Sequence, residues 1–179
     1  KVEEATRLED EVDVLSASIL QYLDKVRQSM LTSEESSTQE TLTKAINNIE
    51  SLADVMEKDM IGTVKTFLGG DFQPSSDETR DMVKGLWDGV HNAIEKAVNA
   101  VGSNDPQAAR DVALMQARIE ELADQLFQRL TRRLRSDDPK YLERVRLLMS
   151  FIEQLRHMYI FARLISNAML PPELREQPA

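Results

Sequence analysis

The sequence contains no cysteine, and that absence excludes a disulfide framework, a thiolate zinc site and a cysteine nucleophile together. Aromatic residues make up only 5% of the 179 positions, with six glycines and six prolines, a scarcity that favours helix over sheet. No run of about 18 apolar residues occurs, so nothing in the sequence reads as a membrane span. The opening KVEEATRLEDEV is charged and does not read as an apolar leader with a cleavage site. Glycine-rich phosphate loops, HExxH pairs and nucleophile elbows are also missing, which leaves an enzyme as the least supported class.

What is present is a chain with 41% apolar and 30% charged residues, long enough to bury roughly 70% of its unfolded surface. Its net charge of −9 is lopsided. Residues 1–80 hold seventeen acids and eight bases, whereas residues 81–179 hold fourteen of each. A general nucleic-acid binder needs a basic field to displace counterions, so nucleic acid is not an expected partner.

Apolar residues recur at helical spacing almost throughout. Leu8, Val12, Leu15, Ile19, Tyr22, Val26 and Met30 form a first stripe, which predicts a long helix packed along that face. LTSEESSTQE interrupts it and carries a helix-start signal. A second stripe runs Leu42, Ile46, Ile49, Ala53, Met56, Met60 and loosely on to Val64 and Phe67, until Gly69 and Gly70 stop it. DFQPSSDETR at 71–80 reads as a linker. A third helix carries Val83, Leu86, Val90, Ile94, Ala97 and Val101, ending near Gly102. Asn104, Asp105 and Pro106 then open a fourth, with Val112, Met115, Ile119, Leu122, Leu126 and Leu130. A fifth starts near SDDP at 136–139, runs through Leu142, Val145, Leu148, Ile152, Tyr159 and Ile165, and ends at Pro171 and Pro172. Five long helices with short links predict an all-α antiparallel bundle.

The segments also repeat. VDVLSASILQYL at 12–23 aligns with IEELADQLFQRL at 119–130, setting Leu15 on Leu122, Ile19 on Leu126 and Leu23 on Leu130. IESLAD at 49–54 aligns with IEQLRH at 152–157, setting Glu50 on Glu153 and Asp54 on His157. The order and near-equal offsets predict two three-helix units, the first lacking its opening helix. Residues 1–70 are then the first unit, 71–80 the linker, 81–170 the second unit and 171–179 a tail. Since Lys1 stands almost inside a helical stripe without an initiator methionine, the sequence is read as a piece of a longer protein. An incomplete first unit leaves an apolar seam, which predicts self-association or a further segment that fills it.

Beside the seam lie paired acids. Glu9 and Asp13 are four apart, as are Glu50 and Asp54, so each pair shares one helical face. Packed side by side, the two helices would bring four carboxylates together, and their repulsion would call for a cation or for protonation. Iron, zinc, manganese or magnesium are the ions such a set suggests. The same spacing also fits ordinary solvated flank positions. In the second unit the corresponding residues are Gln116, Glu120, Glu153 and His157, a weaker set in which His157 is either a ligand or a hydrogen-bonded structural residue. His91 receives no role, and Trp87 reads as packing. Arg129, Arg132, Arg133, Arg135, Lys140, Arg144 and Arg146 form a basic cluster that would either meet a phosphorylated, acidic or lipid partner or balance Asp124, Asp137, Asp138 and Glu143.

A duplicated three-helix unit with E-x-x-x-D on adjacent helices resembles the PhoU family of phosphate regulators. INNIESLADVMEKDM is similar to that family's Glu-Arg-Ile-Gly-Asp signature, keeping Glu50 and Asp54 with Ser51, Leu52 and Ala53 between them, and RLEDEVDVL is similar to its second-helix pattern. Within the family, Glu50, Ser51 and Asp54, together with LTRRL and EQLRHMYIFARLISNAML, resemble the C-terminal cytoplasmic domain of bacterial sodium/phosphate cotransporters. The resemblance implies three-helix bundles and a metal-capable acidic surface on Glu9, Asp13, Glu50 and Asp54. It also implies a non-catalytic role in phosphate transport, at the cytoplasmic face of the inner membrane and against the transmembrane portion of the same transporter, with self-association of the domain. The alternative is a stand-alone PhoU-type regulator of an ABC phosphate transporter and its sensor kinase.

Overall fold

The computed structural model describes residues 2–72, 75–132 and 138–170, which are helical with short connections. Helix α1 spans Val2–Arg27. Helix α2, Ser33–Asp54, starts where Thr32 and Glu35 make a reciprocal cap: Thr32 Oγ1 accepts the Glu35 N–H at 3.2 Å and the Glu35 carboxylate accepts the Thr32 N–H at 2.8 Å. At Val55–Met60 the same rod widens into a π-helical turn, then continues as α3, Ile61–Gly69, and stops at Gly70. Helix α4, Asp77–Ser103, is capped by Ser76 and begins inside the stretch that reads as linker. It ends on Asn104, whose φ of 50° is the left-handed geometry that asparagine tolerates. Asp105 caps α5, Pro106–Leu114, and Asp138 caps α7, Pro139–Ala168, each with proline in the first turn, where its missing N–H costs nothing.

One expectation changes. The fourth predicted helix is two, α5 and α6 (Gln116–Arg132), parted at Met115. The stripe crosses that break without interruption because Val112 and Ile119 are buried on either side of it in the same core. Helix α7 ends at Ala168, and Pro171 and Pro172 lie outside the described residues.

Side-chain pairs fix the helix directions. Arg129–Thr79 and Lys96–Asp111 run α4 antiparallel to α5 and α6, and Arg156–Asp124 and Arg163–Gln116 run α7 antiparallel to α6. Gln39–Leu23 does the same for α1 and α2, and Gln154–Thr63 with Lys140–Asp71 for α7 and the α2–α3 rod. Helix α7 is central, packing on α2, α3, α4, α5 and α6, and it buries one wide face that includes Val145, Ile152, Leu155, Met158 and Ile165, with Glu143, Arg146, Glu153 and His157 on the exposed side. The Tyr159 hydroxyl donates to the Val112 carbonyl at 2.8 Å, so this buried polar atom is satisfied. Leu86, Val90, Ala93 and Ala97 of α4, Ile119, Leu126 and Leu130 of α6, and Leu52 of α2 complete the main core.

Among the described residues, α1 contributes nothing to that core. Its contact face is Ala5, Glu9, Val12, Ser16, Leu23 and Val26, whereas Leu8, Leu15, Ile19, Tyr22 and the following Met30 are exposed. The stripe expected to pack along α1 therefore lies half open. Trp87 is half-buried and stacks on Phe151 with ring centroids 6.3 Å apart, which fits its reading as packing.

Candidate functional site

The N-terminal half of α1 meets the α2–α3 rod where that rod changes from α to π. Asp54 is the last residue of α2, at the edge of the π turn, and Glu9 and Asp13 stand one turn apart on the facing helix. Carboxylate oxygens of Glu9, Asp13 and Asp54 all lie within 4.8 Å of one another. Glu9 and Asp54 are half-buried and Asp13 is exposed, so the cluster opens to solvent on one side. A π turn inserted beside a cluster of polar groups is a frequent mark of functional sites, because it re-aims side chains that a uniform helix would hold in fixed phase.

The electrostatics follow from this crowding. Partial burial holds the Glu9 carboxyl above its ordinary range, the charges of Asp13 and Glu57 push it further, and only Lys58 pulls against them among the nearby groups that act on it most strongly. Lys58 Nζ lies 2.5 Å from Asp54 Oδ1. That hydrogen bond keeps the ammonium above its usual value, against the opposing effect of its own desolvation, with help from the charges of Asp54, Glu9 and Asp13. Lys58 is thus a tethered cation reaching into a trio of acids. Three convergent carboxylates are also a donor set that a hard or borderline divalent ion accepts, with waters completing its shell. The residues present fit such an ion, provided Lys58 yields Asp54 to it.

Glu50, the fourth expected carboxylate, is half-buried on α2 but stands outside the trio. Its spacing from Asp54 puts both on one helical face, yet α1 crosses the rod at the level of Asp54 and the turn after it. Glu57 and Lys58, rather than Glu50, are therefore the residues whose charges reach Glu9. Neither Glu57 nor Lys58 is singled out by sequence, although Asp54 and Lys58 form an i,i+4 pair that would have flagged the second.

The corresponding corner of α6 and α7 is wired differently. Gln116 donates to Glu120 at 2.8 Å and accepts from Arg163 at 2.7 Å. Glu153 lies 3.8 Å from Arg156, which also pairs with Asp124 at 3.3 Å, and His157 is exposed. Among the described residues no second trio of possible ligands forms there. His91 is exposed and stands 3.8 Å from Glu95.

Much of the basic cluster is tied into the fold. Arg129 donates to Thr79, to Ser76 and, at 2.6 Å, to Glu78 at the start of α4; Lys140 meets Asp71 at 3.1 Å; Arg144 is buried, 4.9 Å above the Tyr141 ring. The acids that pair with Arg129 and Lys140 are thus Glu78 and Asp71, neither of them named from sequence, while Asp124 pairs with Arg156 outside the cluster; Arg133, Arg135 and Asp137 lie outside the described residues. No helix among the described residues is long and apolar enough to cross a membrane.

Residues 83–169 match the PhoU domain. The match takes in most of α4, all of α5 and α6 and all of α7, and it supports a PhoU-like domain built on those helices, within an all-α bundle. Glu120, Glu153 and His157 fall inside the PhoU match, whereas Glu9, Asp13, Glu50 and Asp54 lie before it. Comparisons with curated proteins and with solved structures return no match. A PhoU-like domain indicates a phosphate-related regulatory role.

Proposed function

We propose that this chain is a non-catalytic regulatory domain at the cytoplasmic face of a bacterial sodium-dependent phosphate transporter, acting on the transmembrane portion of that transporter. The observation that carries the reading is the PhoU match over α4–α7, beside an acid trio that fits a divalent ion. Glu9, Asp13 and Asp54 would hold iron, zinc, manganese or magnesium, and the ion would supply charge neutralisation at the α1–rod junction rather than chemistry on a substrate. Regulation of this kind requires contacts that differ between two transport states, so that docking of the bundle shifts their populations.

The test is sodium-dependent uptake of labelled phosphate by cells expressing the full-length gene product, with and without residues 2–170. Uptake that persists on deletion but no longer responds to phosphate supply is the expected result. Uptake unchanged in both rate and phosphate response, or independent of sodium, would refute the reading.

A further inference from the structure

The open side of α1 continues into a groove. Ala5, Leu8 and Val12 of α1, Ala53, Met56, Met60 and Val64 of the rod, and Trp87 of α4 enclose about 340 Å³ with a nearly wholly apolar lining. Beyond it along α1 stand Leu15, Ile19 and Tyr22, which are 61%, 39% and 66% exposed. From Leu8 to Tyr22 the apolar line is about 21 Å long, at 1.5 Å per helical residue. A contiguous apolar strip of this extent marks an interaction surface rather than scattered exposed side chains.

The other half of the molecule shows what covers such a strip. Helix α6 packs antiparallel on α7 as α1 does on α2, and Leu126, the residue aligned with Ile19, is 0% exposed. It is covered because α4 lies antiparallel along α6, Gly89 allowing the Ile119 side chain to sit 3.6 Å from where a Cβ would stand. Among the described residues, no helix stands to α1 as α4 stands to α6. The missing element is therefore a helix, and its apolar face needs the spacing of α4.

Charge selects its flanks. The charged residues lining the groove are Glu9 and Glu57, and Asp13 and Asp54 adjoin them, with Lys58 already held by Asp54. The first eighty residues carry the whole net charge of −9, so a second copy would bring like charge against like. We propose that the groove between α1 and the π turn is the docking site of a basic amphipathic helix from outside residues 1–179, with its apolar stripe on Leu8, Leu15, Ile19 and Met56 and its lysines or arginines at Glu9 and Glu57. The proposal stands apart from the phosphate reading, since it rests on burial and charge alone.

Trp87 is the chain's single tryptophan and lines the groove, so its emission reports occupancy. The probe is a synthetic tryptophan-free helical peptide with leucines at i, i+3, i+4 and i+7 spacing and lysines on either flank, compared with the same peptide carrying glutamates in place of the lysines. Expected is saturable binding of the lysine peptide with a shift in Trp87 emission, and no shift with the glutamate peptide. Leu15→Asp with Ile19→Asp should weaken binding by about tenfold or more, although it adds two negative charges that would strengthen a purely electrostatic association. Leu15→Ser with Tyr22→Ser, at exposed positions, should act in the same direction and guards against misfolding of the first pair; Glu57→Gln should weaken binding a few-fold. The proposal is overturned by equal or tighter binding to both apolar variants, by equal binding of the two peptides, or by a wild-type dimer that the Leu15→Asp, Ile19→Asp pair dissociates.

Discussion

The α1–α2 corner and the α6–α7 corner are built from similar helices in the same antiparallel sense, and they differ in two ways. Around α6 and α7, aligned positions carry an amide, an acid and a histidine, with Arg156 and Arg163 supplying positive charge, and α4 seals the apolar face. Around α1 and α2, the same positions carry three converging carboxylates with one lysine, and the apolar face is open. One corner is finished as structure and the other is left with unspent charge and surface. Similar backbones therefore do not imply similar work: the side chains that a fold can do without for stability are those free to meet an ion or a partner.

The largest test of that contrast is stability. Leu126→Ala removes a fully buried side chain beneath α4 and should cost about 2–5 kcal/mol in urea unfolding. Ile19→Ala, at the aligned position of the open corner, should cost less than about 1 kcal/mol. Equal costs would mean that the two corners are equally sealed. Next in size is Tyr159→Phe, which deletes the hydroxyl bonded to the Val112 carbonyl and should lower stability by about 1 kcal/mol. The position aligned with it in the rod is the exposed Met56, where Met56→Leu should leave the unfolding midpoint nearly unchanged.

Much of this was legible in the sequence because it is local. The Thr32–Glu35 cap, the Asp105–Pro106 and Asp138–Pro139 starts and the glycine stop at 69–70 are decided by residues within one turn of each other. The break at Met115 was hidden because the buried residues on either side keep a helical period across it. The π turn was hidden because VMEKDM holds neither glycine nor proline to announce a departure from α geometry. Periodicity also identified α1's apolar stripe without saying which part of it would be covered, since that depends on a neighbour. For the acids, spacing showed which residues share a face, but the level at which α1 crosses the rod decided that Asp54, Glu57 and Lys58 face Glu9 and that Glu50 does not join the trio.

A smaller effect concerns the acid trio itself. The folded-state pKa of Glu9 lies above its unfolded value, so the native state binds its proton more tightly and the carboxyl disfavours folding once both states are ionised. Glu9→Gln should therefore raise the thermal midpoint at pH 7, and the gain should vanish as pH falls below the ordinary carboxylate range, where Glu9 is protonated in both states. A midpoint lowered at pH 7, or a gain that grows in acid, would reverse the assigned sign. Gln116→Glu, the mirror change in the other corner, should introduce the same kind of pH dependence, offset by the Arg163 partner.

The most direct measurement is equilibrium dialysis of the chain against manganese, magnesium, zinc and iron, comparing three variants. The account predicts uptake of a divalent ion that Asp13→Asn with Asp54→Asn abolishes, that Glu120→Gln with His157→Gln leaves intact, and that Lys58→Met strengthens by freeing Asp54. Uptake that survives the first pair of substitutions, or falls with the second, would contradict it.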